Sequence, residues 1–252
     1  MKIWRASKDV VGGHQTFVGI SPAKKATLQA FENTCALPLA DDYRKFLLEN
    51  NGGFPSPSCV TFASDAGRKT TSDLFCYFAV GDLPAWISLE WHWQTFSGRL
   101  PKDTVPIARD SCGNLWLLKI GGENHDSVYF WDHGTYDTFD ETDLGHSPRI
   151  AKNFREFQGK LMASPSVAED PAMPSRYALV NQAIETIRKQ NPGFDPRANP
   201  DYVWHCDCDD DGEVTIQFVQ YVVHAACTHT DGYSRVRAMK GLIKEGPTRM
   251  PR

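Results

Sequence analysis

The chain has 252 residues, 41% hydrophobic and 23% charged, enough to bury a substantial core and between one large domain and two modest ones in length. Its formal net charge of -4 excludes a general nucleic-acid binder, which needs a basic surface to displace counterions from phosphates. The opening "MKIWRASKDVVGGHQ" reaches a Lys, an Arg and an Asp before any apolar run, and nowhere do roughly 18 apolar residues follow one another. Neither a signal peptide nor a membrane span is expected. Seven cysteines, an odd number without a CxxC pair, read as reduced thiols of a cytoplasmic protein.

The first element is "SPAKKATLQAFENTCALP", where Ser21 suits a cap, Pro22 suits the first helical position, and Leu28, Phe31 and Cys35 fall on one face. A second helix follows Leu37-Pro38. Its Leu39, Tyr43, Phe46 and Leu47 recur at helical spacing, while Asp41, Asp42, Arg44, Lys45 and Glu49 cover the other side. It closes on "NNGG": Asn51 or Gly52 takes the left-handed conformation that stops a helix, and Pro55 and Pro57 force extended backbone.

Strands come next. "CVTFAS", "LFCYFAV", "TVPIARD", "NLWLLKI" and "SVYFWDH" are short, rich in β-branched and aromatic residues, and separated by turn residues such as Asp110-Ser111-Cys112-Gly113-Asn114. A helix over roughly 84–97 interrupts them. After an acidic loop, "SPRIAKNFREFQGKLM" returns to helical spacing with Ile150, Phe154, Phe157 and Leu161, a helix to cover one side of the sheet. The expected fold is α+β, with N-terminal helices packed on a mainly antiparallel sheet and a small α+β C-terminal module behind it. The proline-rich stretch 163–175 marks the join, giving a division into 1–163, a linker at 164–175, and 176–252.

In the last span, "RYALVNQAIETIRKQNPG" is a helix with Tyr177, Val180, Ile184 and Ile187 on one face, ended by Asn191-Pro192-Gly193. "DYVWHCDC" and "EVTIQFVQYVV" form a hairpin turned by Asp210-Asp211-Gly212. A basic helix, "GYSRVRAMKGLIKEG", closes the chain. Its basic residues read as one solvated helix face, with nucleic-acid binding as the sharper alternative.

The order helix, LP, "DYRKFLLENNGGFP", then "VPIARDSCGN" on a strand and turn, then "VYFWDH", resembles the SUKH superfamily over roughly residues 20–160. That superfamily holds bacterial immunity proteins and a fungal cell-wall regulator. This chain departs from its pattern in one turn, where Ser111-Cys112-Gly113-Asn114 replaces the frequent Gly-Gly or Gly-Asp before Asn. The resemblance implies a binder without enzymatic activity that neutralises a toxin, often a nuclease, by covering its active surface. A regulatory scaffold is the alternative.

Between Gly121 and Pro148 the chain carries Glu123, Asp126, Asp132, Asp137, Asp140, Glu141 and Asp143 and no Lys or Arg, a run that attracts a basic partner. The partner-binding candidates are Glu123, Asp126, Tyr136, Asp137, Asp140, Glu141 and Asp143, and the alternative is a merely solvated loop. Of the aromatics there, Tyr129 and Trp131 share one strand face, so at least one belongs to the core.

No cofactor or metal is expected. Asp207, Asp209, Asp211 and Gly212 open like a calcium loop, but the twelfth position is Phe218 where that site needs a bidentate Glu. Cys206, Cys208, Cys227 and His229 supply two i, i+2 pairs of soft ligands, a spacing less specific than the usual structural zinc site. Cys112, His133 and Asp132 compose a nucleophile, base and orienter only if the fold brings them together, and the common hydrolase and metalloprotease motifs are absent from the sequence.

Overall fold

The computed structural model describes residues 5–7, 16–36, 38–63, 69–133, 144–145, 147–163, 176–208 and 214–226. Strands β1 (Arg5–Ser7) and β2 (Thr16–Gly19) precede helices α1 (Lys25–Cys35) and α2 (Asp41–Glu49). Strands β3 (Phe54–Ser56), β4 (Cys59–Ala63), β5 (Lys69–Asp73) and β6 (Cys76–Tyr77) lead to helix α3 (Leu89–Thr95). Strands β7 (Thr104–Arg109), β8 (Leu115–Lys119), β9 (Val128–Trp131) and β10 (Arg149–Ala151) are followed by helix α4 (Phe154–Gly159). Helix α5 (Arg176–Gln190), strands β11 (Tyr202–Cys208) and β12 (Val214–Gln220) and helix α6 (Tyr221–Ala226) complete the described chain.

Five strands form one antiparallel sheet in the order β10-β9-β8-β7-β6. The β1-β2-β3 sheet continues it through a backbone bridge in which Gly53 and Tyr77 each donate an N–H to the other's carbonyl. The fold is therefore α+β. Every residue of β7 and β9 is buried, because both faces of the sheet are covered.

Cross-strand register explains which residues cover what. Tyr77, Ala108, Trp116 and Phe130 lie opposite one another on one face, where Phe46 of α2 and Phe154 and Phe157 of α4 pack on Tyr77 and Trp116 at ring-centroid distances of 4.9–6.4 Å. Cys76, Arg109, Leu115 and Trp131 align on the other face. There Phe96, just past α3, meets Trp131, and Tyr221 of α6 meets Arg109. Burial of this many aromatic side chains, at about 1.5–3 kcal/mol for each large apolar side chain, is the dominant favourable term.

Several local expectations are corrected. Helix α1 begins at Lys25 and has no side-chain cap, because Ser21 to Lys24 is held outside it: the Ala23 N–H donates to Leu47 O, and Ser21 O accepts from Asn51 Nδ2. Ile150 lies on a strand, since Arg149 and Ala151 pair with Tyr129 and Val128. The helix after it starts only at Asn153, whose Oδ1 accepts from the Glu156 N–H while Glu156 Oε2 reaches back to the Lys152 N–H. "YVV" at 221–223 leaves the strand and enters α6, where Tyr221 is buried in the same core as the five-stranded sheet. The interrupting helix spans 89–95, with Ser88 Oγ accepting from the Trp91 N–H.

The "NNGG" terminator holds more than the helix end. Asn51, Gly52 and Gly53 all have positive φ, at 50°, 76° and 116°. The buried Asn51 side chain donates to Ser21 O and Val80 O and accepts from the Val80 N–H, so it ties α2 to the segment beyond β6. An ion pair between half-buried Arg44 and buried Glu32 fixes α1 to α2: Arg44 Nη1 donates to both Glu32 oxygens at 2.9 and 2.6 Å, and Glu32 also accepts from the Leu39 N–H.

Candidate functional site

The acidic run begins in the turn joining β8 to β9. Asn124 and Asp126 take left-handed conformations there, and Asp126 N–H donates to Lys119 O. Glu123 is exposed and Asp126 half-buried, so both are available to a partner. The fold brings bases to this end that the run itself lacks: Lys119 Nζ lies 3.9 Å from Asp103 Oδ2, and Arg149 donates to Asn124 Oδ1 at 2.9 Å. Tyr129 is buried beneath them, its pKa raised by that burial, lowered in part by Arg149 and raised by Glu123. Glu123 and Asp126 thus sit in a mixed field. Tyr136, Asp137, Asp140, Glu141 and Asp143 lie outside the described residues.

The opposite end of the sheet carries the β7–β8 turn. Asp110 organises it: Oδ1 accepts from the N–H groups of Cys112 and Asn114, and Oδ2 accepts from Ser72 Oγ and Asn114 Nδ2, all within 2.7–2.9 Å. Asp73 accepts from both the N–H and the hydroxyl of Ser111, which fastens the turn to β5. His133 Nδ1 donates to Asn114 Oδ1 at 2.9 Å, so His133 does reach the Cys112 turn, through Asn114. Cys112 itself is 4% exposed and packs with Val180 and Trp204. Among the described residues its sulphur is nearly closed off, and Asp110 and Asn114 hold the turn around it. Burial pushes the thiol of Cys35 up to about 12, with Glu32 and Glu90 adding to the rise, which disfavours its thiolate.

A third polar group was not foreseen. Arg109 is fully buried, with its guanidinium 4.4 Å from the Phe75 ring centroid and 4.3 Å from that of Tyr221. It donates to Pro200 O at 2.6 Å, and Arg99 donates to Ala225 O at the end of α6, also at 2.6 Å. Tyr221 Oη meets His92 Nε2 at 2.9 Å, and the Trp204 N–H donates to Ser111 O. Nothing local in "TVPIARD" marks Arg109 as buried, and only the register with Cys76 and Leu115 places it on the face under α6. The side chains of Cys206 and Cys208, and all of Cys227 and His229, lie outside what is described. Among the described residues no three His, Cys, Asp or Glu side chains are grouped to hold one metal ion, and no helix is long and apolar enough to cross a membrane.

Compared directly, sequence against sequence, no curated protein matches this chain. A family model does: that of the SMI1/KNR4 family (SUKH-1) matches residues 22–159, from the segment before α1 to the last residue of α4. The matched span holds both helices of the first layer, the "NNGG" tie, the five-stranded sheet and the Asp110 turn, and it covers more than half of the sequence. The chain belongs to the SMI1/KNR4 (SUKH-1) family.

Proposed function

We propose that this chain is an immunity protein of the cytoplasm that binds a secreted bacterial toxin, a nuclease or another interbacterial effector, and neutralises it by covering its active surface. The observation that carries this reading is membership of the SUKH-1 family across residues 22–159. The buried Cys112 and the structural commitment of Asp110, Asn114 and His133 favour binding over catalysis. The partner-binding residues are Glu123, Asp126, Tyr136, Asp137, Asp140, Glu141 and Asp143, whose acids complement the basic groove of a nuclease.

The test is co-purification with the product of the adjacent upstream open reading frame. A stable complex in which the toxin's activity is blocked is expected. Recovery instead of a cell-wall or signalling assembly would move the reading to a regulatory scaffold. Cys112→Ala is expected to leave protection of toxin-exposed cells intact, since occlusion needs no nucleophile. Loss of protection by a correctly folded variant would restore the enzymatic reading.

A further inference from the structure

Four of the five described histidines collect where β11, β12 and α6 meet the sheet domain, and the fifth, His125, is exposed in the β8–β9 turn. His205 Nδ1 and His224 Nε2 are 3.1 Å apart, and the His133 ring stands edge-on to His224 with centroids separated by 4.9 Å. His133 and His224 are buried, at 2% and 8% exposure. Gly113, at φ +88°, lies against the His224 ring, where a Cβ would be in ordinary contact at 3.5 Å. The fourth, His92, donates from Nδ1 to Ser88 O and accepts from Tyr221 Oη at Nε2.

We propose that β11, β12 and α6 form an acid-released latch over the Arg109 end of the sheet, held at neutral pH by the His205–His224 hydrogen bond beside His133 and by the Tyr221–His92 bond. The proposal goes beyond the immunity reading and does not depend on it. A hydrogen bond between two imidazoles needs a lone pair on one nitrogen, so it survives with neither or one ring protonated and is lost when both are. The Tyr221–His92 bond would only reverse on protonation, with Nε2 donating to Oη, so acid acts at His92 through the cost of burying its charge.

The basic groups facing this seam oppose protonation of the docked form, whereas the buried carboxylates beside His133 favour it. Arg109 lies over Tyr221, Arg99 caps Ala225, and β12 presents no ionisable side chain. Of the acids, Asp110 already accepts four hydrogen bonds and Asp132 is buried beside His133. Burial, with Arg109 adding to it, holds the pKa of His92 well below the ordinary histidine value. The sign follows from linkage. A histidine kept neutral when docked contributes stability above its ordinary pKa of about 6.5, and loses it as pH falls, because the released form takes up protons that the docked form excludes. Each such proton makes release about tenfold easier per pH unit below that point.

Hydrogen–deuterium exchange of the full chain at pH 7.5 and pH 5.0, corrected for intrinsic rates, tests the latch. Amides of residues 202–206 and 216–226 are expected to lose protection by at least about tenfold at pH 5.0 while β7, β8 and β9 keep theirs. The double variant His205→Gln, His224→Gln, which retains a neutral hydrogen-bonding pair, is expected to lose markedly less protection at pH 5.0 than the wild type, since only His92 and His133 remain to respond. Equal protection of the wild-type latch at both pH values overturns the proposal, as does simultaneous loss across β7–β9, or a full pH response in the double variant. Should that variant fail to fold, the wild-type imidazole signals decide. Coupled titration of His205 and His224 in the range where protection is lost is expected, and independent titration overturns the proposal.

Discussion

Gly52 has φ +76°, and a Cβ built on it would lie 2.8 Å from the Phe78 carbonyl oxygen and 2.8 Å from the Ala79 Cβ. Neither neighbour can yield, since one is backbone and the other is part of the buried segment beyond β6. Gly52→Ala is therefore expected to lower the unfolding free energy by about 1–3 kcal/mol, from left-handed strain and from overlap together. Gly159→Ala is the control: nothing stands within 4 Å of a Cβ there, and the change is expected to be neutral or slightly stabilising. Urea denaturation of both variants checks the pair, and equal midpoints would show that the tie has room to shift. The Glu32–Arg44 pair makes a second demand. Arg44→Met leaves the Glu32 carboxylate buried with only the Leu39 N–H, and a loss of about 2 kcal/mol or more is expected by the same measurement.

At the scale of elements, what was legible depended on whether the signal was local. Helix α2 shows its apolar spacing and its terminator in sequence, and Tyr43, Phe46 and Leu47 are buried as that spacing requires. The α4 start was also legible, because Asn153 and Glu156 stand three apart as cap and partner, but the apolar run through Ile150 masked it. Tyr221 carried no such signal. "VQYVV" is β-branched and reads as strand, and it becomes helical because packing against Arg109 and His92 outweighs local propensity. The importance of that packing can be measured. Tyr221→Phe keeps the ring over Arg109 but removes the hydroxyl from buried His92, and a loss of about 1–2 kcal/mol is expected in thermal or urea unfolding at pH 7.5. Val223→Ser, on the side of α6 that is 58% exposed, is expected to change stability by less than about 0.5 kcal/mol. Equal effects from the two substitutions would mean that α6 does not rest on its Tyr221 contact.

For the whole molecule, the question is whether the acidic run acts through its summed field. The sequence displayed seven acids without a base, yet it could not show that Lys119 and Arg149 fold back to the Glu123 end. On the immunity reading, the steering charge is then expected from Asp137, Asp140, Glu141 and Asp143, which lie outside the described residues. Reversing Asp137, Asp140 and Glu141 to Lys carries the formal net charge from -4 to +2, two charges for each of three residues. Association with the toxin is then expected to slow by at least about tenfold at low salt, because steering scales with the summed charge. The difference from wild type is expected to shrink at physiological ionic strength, where charges are screened within about 8 Å. Stopped-flow association rates at both salt concentrations check this, with circular dichroism confirming the fold of the variant. Equal rates for the two proteins at both salt concentrations would remove the acidic run from the interface. The search for the toxin-binding face would then move to the surface of β11, β12 and α6, where release of the latch would uncover the Arg109 end of the sheet.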